Sequence, residues 1–154
     1  MRMFLLLTAL LLVGCETIAD LPPEERKVQM VHEVPMADKA TLYVRALEWV
    51  SSSFRSSKAV IDMQDKDAGI IVAKGIIPNG AHDAFGVRYD VRITIKLEIK
   101  DGRYRATYDT FTMIFGHAGE REASPGTEHD SCRETARKLD AELAAFMTTG
   151  KKDF

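Results

Sequence analysis

Few residues in this sequence combine in ways that could carry chemistry, and each combination has a plainer reading beside it. Asp62, Asp65 and Asp67 bring three carboxylates close together, as a calcium loop would. Such a loop needs oxygens at alternate positions, a glycine at the sixth and a glutamate at the twelfth. Asp62-Met63-Gln64-Asp65-Lys66-Asp67 fails that spacing and falls between strand-like runs, so a solvated turn is expected. His129 and Cys132 are spaced to share a helix face around zinc, with His117 and His82 as distant recruits. A structural zinc site needs four ligands at defined spacing; a loop histidine and a packed cysteine are expected instead. Ser51-Ser52-Ser53 lacks a Gly-x-Ser-x-Gly elbow and an oriented base, and reads as helix-end serines. His82, Asp83 and Glu120 could pair for acid–base work, but nothing in their spacing constrains them. No catalytic residue, metal or cofactor is therefore expected.

Cys15 is different, because its context is organised. Met1-Arg2-Met3 is a short basic start, Phe4-Leu5-Leu6-Leu7-Thr8-Ala9-Leu10-Leu11-Leu12 is apolar, and Val13-Gly14 places small residues before the cysteine. The run is shorter than the roughly 20 residues that span a bilayer and fits an export signal. Leu12-Val13-Gly14-Cys15 resembles the bacterial lipobox, in which the leader is removed and the cysteine is lipidated. The expectation is a leader over residues 1–14, acyl chains on Cys15, and a mature protein anchored to a membrane without crossing it. Two or more acyl chains give stable anchoring where one does not. Glu16 stands where an aspartate favours inner-membrane retention in enteric-type bacteria, which by resemblance points to the outer membrane, facing the periplasm.

The chain has 154 residues and a formal net charge of -2. About 140 residues would remain after the leader, enough for one domain with its own core. Nucleic-acid binding wants a strongly basic domain, so no nucleic-acid partner is expected. With Cys15 acylated, Cys132 is left alone and no intrachain disulfide can form.

The elements that must position any site follow from periodicity. Residues 15–27 carry Pro22-Pro23 and four charges in Glu24-Glu25-Arg26-Lys27, and read as a tether. Residues 28–34 read as a strand, and Asp38 as the cap of a helix over 39–54 with Tyr43, Ala46, Leu47, Val50 and Phe54 on its apolar stripe. Trp49 on that helix is either core packing or a partner anchor. Strands are expected over 59–63 and 68–77, the latter stopped by Pro78-Asn79-Gly80, with a loop over 81–86.

Residues 87–100 alternate apolar and polar throughout, so one face is buried and the other wet. Asp101-Gly102 is a favoured two-residue hairpin turn. It sets Lys100 opposite Arg103, Ile99 opposite Tyr104, Leu97 opposite Ala106, Ile95 opposite Tyr108 and Glu98 opposite Arg105. Continued unbroken, that register would turn Phe111, Met113 and Phe115 outward. A β-bulge near Asp109-Thr110 is expected; the alternative is an outward aromatic set that binds something. Residues 116–130 read as a loop, 131–147 as a second helix, the domain as 28–148, and 149–154 as a frayed tail.

Strand, helix, four strands, helix implies an α+β domain: a five-stranded, mostly antiparallel sheet with both helices on one face. Residues 28–115 resemble the bacterial family described as a domain of unknown function with a TATA-binding-protein-like (TBP-like) fold. The resemblance rests on Glu33-Val34-Pro35, Leu42-Tyr43-Val44-Arg45-Ala46-Leu47-Glu48-Trp49, and Phe54-Arg55-Ser56-Ser57-Lys58-Ala59-Val60-Ile61. It continues through Asp65-Lys66-Asp67-Ala68-Gly69, Lys74-Gly75, and Ile99-Lys100-Asp101-Gly102-Arg103-Tyr104-Arg105. It implies this fold and, since members are often lipoproteins, an envelope address; it implies no mechanism. If the helices cover one face, Arg88, Arg92, Lys96, Lys100, Arg103 and Arg105 project from the other, interleaved with Asp90, Thr94, Glu98, Thr107 and Asp109. That face is either ordinary solvated surface or a platform for a protein, peptide or anionic envelope component. The functional expectation is a lipid-anchored, non-enzymatic binding or assembly module in the cell envelope, using the open sheet face and the loop over 78–86. The rival is a small envelope hydrolase or metal-dependent enzyme, which would need ionisable residues converging in a pocket.

Overall fold

The computed structural model describes residue 22, residues 24–54 and residues 60–150. Cys15, the expected leader over residues 1–14 and the expected tail beyond residue 150 lie outside the described residues. The chain forms β1 (Val28–Glu33), α1 (Lys39–Ser53), β2 (Val60–Asp65), β3 (Ile70–His82), β4 (Arg88–Lys100), β5 (Arg103–Ile114), β6 (Glu120–Glu122) and α2 (Thr127–Thr149). A short 3-10 turn, Gly116–Ala118, joins β5 to β6. The sheet runs β1-β5-β4-β3-β2, and β6 pairs with the far half of β5. Every pairing is antiparallel. Both helices pack on one face, giving the expected α+β architecture with one short strand added.

The alternating run does what its period requires. Val91, Ile93, Ile95, Leu97 and Ile99 are all buried beneath the helices. The hairpin register is the expected one, from Lys100 opposite Arg103 to Ile95 opposite Tyr108. Beyond it Thr94 faces Asp109 but Arg92 faces Thr112, so Ile93 meets an extra residue on β5. Thr110 takes the left-handed conformation there, with φ 54°. This is the expected bulge, and it returns Phe111 and Met113 to the buried face.

Asp38 caps α1 by accepting the Thr41 N–H at 2.7 Å. The helix buries Leu42, Tyr43, Ala46, Trp49 and Val50. Trp49 is thus core, edge-on to Phe54 with ring centroids 6.1 Å apart. Phe54 in turn lies flat against Gly75, where a Cβ would sit 2.1 Å from its ring. α2 ends on Gly150, whose φ of 67° lets its N–H bond the Phe146 carbonyl at 2.7 Å. Arg45 of α1 donates to the Met147 carbonyl at 2.6 Å, so one helix satisfies the open end of the other.

Three expectations need correction. Pro78-Asn79-Gly80 does not stop β3: the strand passes through with a register shift between Ile77 and Ala81. Proline is tolerated at a bulge, where its missing N–H breaks no ladder bond, and the Asn79 N–H finds Asp90 at 3.0 Å. The segment read as a loop over 116–130 contains β6, whose residues are all exposed and show no apolar period. α2 begins at Thr127, four residues before the expected start at 131, because Gly126 offers no side-chain cap to mark it.

Candidate functional site

The helices leave the far face of the sheet uncovered, and the register decides which side chains stand there. Lys96, Glu98 and Lys100 alternate along β4; Arg103 and Arg105 lie opposite on β5; Val31 and Glu33 come from β1, opposite Arg105 and Arg103. Val31, Glu98, Lys100, Arg103, Tyr104 and Arg105 line a shallow depression of about 160 Å³. Glu98 is shared by two cations, with Lys96 at 3.4 Å and Arg105 at 3.5 Å. Such part-exposed pairs add little stability. Four cations thus stand among two carboxylates, and the patch is positive. Across β3 and β2 the same face is mixed: Ile70, Val72 and Ile76 are half-buried and Met63, opposite Val72, is exposed, while Lys74 stands between Val72 and Ile76 in an ion pair with Asp62.

The six cations singled out from sequence do not act as one group. Lys100, Arg103 and Arg105 line the depression, and Lys96 reaches its Glu98 from one step along β4. Arg92 is held by Glu120 of β6 in a two-pronged ion pair, one contact at 2.7 Å. Arg88 starts β4 opposite His82, roughly 27 Å of strand from Lys96.

The other chemical candidates are absorbed by structure. The Asp83 side chain accepts the Phe85 and Val87 N–H groups at 2.9 and 3.0 Å and the Tyr89 hydroxyl at 3.1 Å. Desolvation opposes ionisation at Asp83, yet these bonds hold its carboxyl below the usual range. Glu120 is bound to Arg92, so the His82, Asp83 and Glu120 grouping does not converge. Asp62 pairs with Lys74 at 2.6 Å, and Asp65 accepts the Ala68 N–H at 2.8 Å within its turn. Among the described residues, no group of three or more His, Cys, Asp or Glu could hold a metal ion. Cys132 is fully buried, and desolvation, with Glu128 nearby, pushes its thiol up to about 12. His129 is buried edge-on to Phe111 with centroids 5.5 Å apart. Its Nε2 has no hydrogen-bond partner.

Sequence reasoning missed one polar cluster entirely. Asp140 of α2 is 2% exposed. It meets His32 Nε2 of β1 at 2.7 Å and accepts the Tyr108 hydroxyl at 3.2 Å. The His32 ring stacks on Tyr104 with centroids 5.1 Å apart. Desolvation, reinforced by the Asp140 charge, raises both phenols well above their ordinary value; the Tyr108 hydroxyl donates to Asp140, while the buried Tyr104 hydroxyl has no hydrogen-bond partner. The cluster fastens the edge strand β1 to α2. A buried carboxylate 108 residues from its histidine leaves no local signal.

With the geometry in view, the comparisons are specific about fold. Residues 29–113 match the family described as a domain of unknown function (DUF4468) with TBP-like fold. The chain belongs to this family. Two solved structures are similar to it. One is a DUF4468 family protein from Bacteroides ovatus ATCC 8483, with TM-score 0.63 and 11% identity, over 90% of this chain and 95% of that one. The other is a TBP-like protein from Parabacteroides distasonis ATCC 8503, with TM-score 0.68 and 10% identity, over 86% of this chain and 98% of that one. At such identities the likeness establishes the fold alone. No curated protein matches the chain in sequence.

Proposed function

We propose that this chain is a non-enzymatic docking module, held in the cell envelope by acyl chains on Cys15, that receives an acidic peptide segment of an envelope protein on its open sheet face. The observation that carries the reading is the depression lined by Lys100, Arg103 and Arg105, with Lys96 further along β4, on the face both helices leave bare. Guanidinium groups pair with carboxylates through two parallel bonds, so arginines suit an acidic guest. Beside it Val72 and Met63 offer a small apolar spot for its hydrophobic side chains. Lipidation would confine the module to a membrane surface, where partners are few and local concentration is high.

Titration of the mature domain with a Glu/Leu-alternating peptide, followed by amide chemical shifts, tests the docking. Saturable shifts should cluster on β4, β5 and Val31, weaken as salt rises, and vanish in the triple variant K100E/R103E/R105E. Scattered shifts, or shifts that survive charge reversal, would refute it.

A further inference from the structure

The β3–β4 connection carries a hydrophobic tip that docking on the sheet leaves unused. Phe85 is 93% exposed and Val87 49%. Single exposed apolar residues are common and need no explanation by themselves, but this one is displayed by a closed turn. Asp83 binds the Phe85 and Val87 N–H groups and the Tyr89 hydroxyl. Its own N–H donates to the Val87 carbonyl at 3.1 Å, and Gly86 takes the required positive φ of 80°.

Position supplies the second observation. The His82 N–H donates to Ser131 Oγ at 3.1 Å, while Arg133 donates to the Glu25 carbonyl at 3.0 Å and the Glu25 N–H to the Pro22 carbonyl at 2.9 Å. The Phe85 loop and residue 22, where the described chain begins, therefore rest on the same first two turns of α2. From Cys15 to residue 22 the chain can extend about 25 Å at most. An acylated Cys15 keeps this pole beside the bilayer. The pole bearing Met36 and the Asp101-Gly102 turn lies the length of β4 away, about 40 Å.

We propose that Phe85, with Val87 beside it, inserts into the interfacial layer of the bilayer that anchors Cys15 and so sets the domain's orientation. One phenyl ring cannot hold a free protein on lipid, but the tether makes the contact intramolecular, where a weak affinity suffices. This orientation also points the Lys100–Arg103 depression away from the membrane. The inference rests on the anchoring reading, and the test separates the two.

The lipidated chain is reconstituted in phosphatidylcholine vesicles, with the acyl mass on Cys15 checked first. Phe85→Cys carries an environment-sensitive fluorophore, and Met36→Cys, 104% exposed at the opposite pole, serves as reference. Cys132 is buried and stays unlabelled. Brominated lipids should quench the label at 85 several-fold more than at 36. In unlabelled protein, vesicles should slow amide exchange over residues 84–87, and Phe85→Asp should abolish that protection. Equal quenching at both positions, or protection unchanged by Phe85→Asp, overturns the lipid contact while leaving the anchor standing and directs Phe85 to a protein partner. A chain without acyl mass overturns both.

Discussion

A carboxylate reports its surroundings more sharply than any other side chain here, and two show opposite uses of the same charge. Asp140 is buried, and its partners His32 and Tyr108 come from two strands. Asp140→Ala would leave the buried Tyr108 hydroxyl without its acceptor and the part-exposed His32 without its partner, which costs about 2 kcal/mol; chemical denaturation measures it. A loss below about 1 kcal/mol would mean that water replaces the carboxylate. Glu128 lies nearer the surface. The Arg121 guanidinium, bonded through two nitrogens, holds its carboxyl at about 2 against an ordinary 4.5, with the Ser124 N–H helping against a burial cost. A folded value below the unfolded one means that the stabilisation is whole above 4.5 and disappears as pH falls toward about 2. The stability gap between wild type and Glu128→Gln, about 1 kcal/mol at neutral pH, should close over that window. A gap that stays constant down to the acid end would show that the ion pair is not its source. Neither residue was legible in sequence: Asp140 reads as the polar flank of a helical stripe, and Glu128 falls in a stretch read as loop.

At the scale of elements, the most legible feature was a break in period. The alternation through residues 87–100 and the Asp101-Gly102 turn specify a register, and the phase slip at Phe111 requires an extra residue on β5. Thr110 is that residue. Deleting it should give an unbroken ladder with Phe111 opposite Ile93 and Met113 still opposite Val91, so both stay buried and the shortened chain should still unfold cooperatively. Deleting Asp109 and Thr110 together should instead turn Phe111 and Met113 to solvent, and that chain should bind hydrophobic dyes. A single deletion that binds hydrophobic dyes, or a double deletion that melts like the wild type, would show that the extra residue is not what sets the phase of these side chains. Elements without a period were illegible for the same physical reason. β6 is three exposed charged residues held by pairing with β5 and by Glu120 on Arg92. The passage of β3 through Pro78 depends on a bulge that only the neighbouring strand reveals. The tie between the helices was equally hidden, because Arg45 reaches a carbonyl 102 residues away. Arg45→Ala should fray the last turn of α2 and cost about 1 kcal/mol, visible as faster amide exchange near its end; unchanged exchange there would show that water caps the helix equally well.

For the whole molecule, the proposed anchor and the fold occupy different parts of the chain. The core begins at Val28, the first buried residue of β1, and the sheet closes through pairings between described residues. Acylation at Cys15 would therefore determine where the domain resides without contributing to its packing. Cys15→Ala should move the protein from the membrane to the soluble fraction while leaving the unfolding midpoint of the purified domain unchanged. The same variant should still bind the acidic probe in free solution, because Lys96, Lys100, Arg103 and Arg105 are presented by the hairpin and not by the tether. Retention on membranes would mean that another contact holds the chain. A lowered midpoint would mean that residues before the sheet pack against it. Loss of probe binding would place the docking surface at the tethered pole instead of the open face, since only that pole is altered when the anchor is removed.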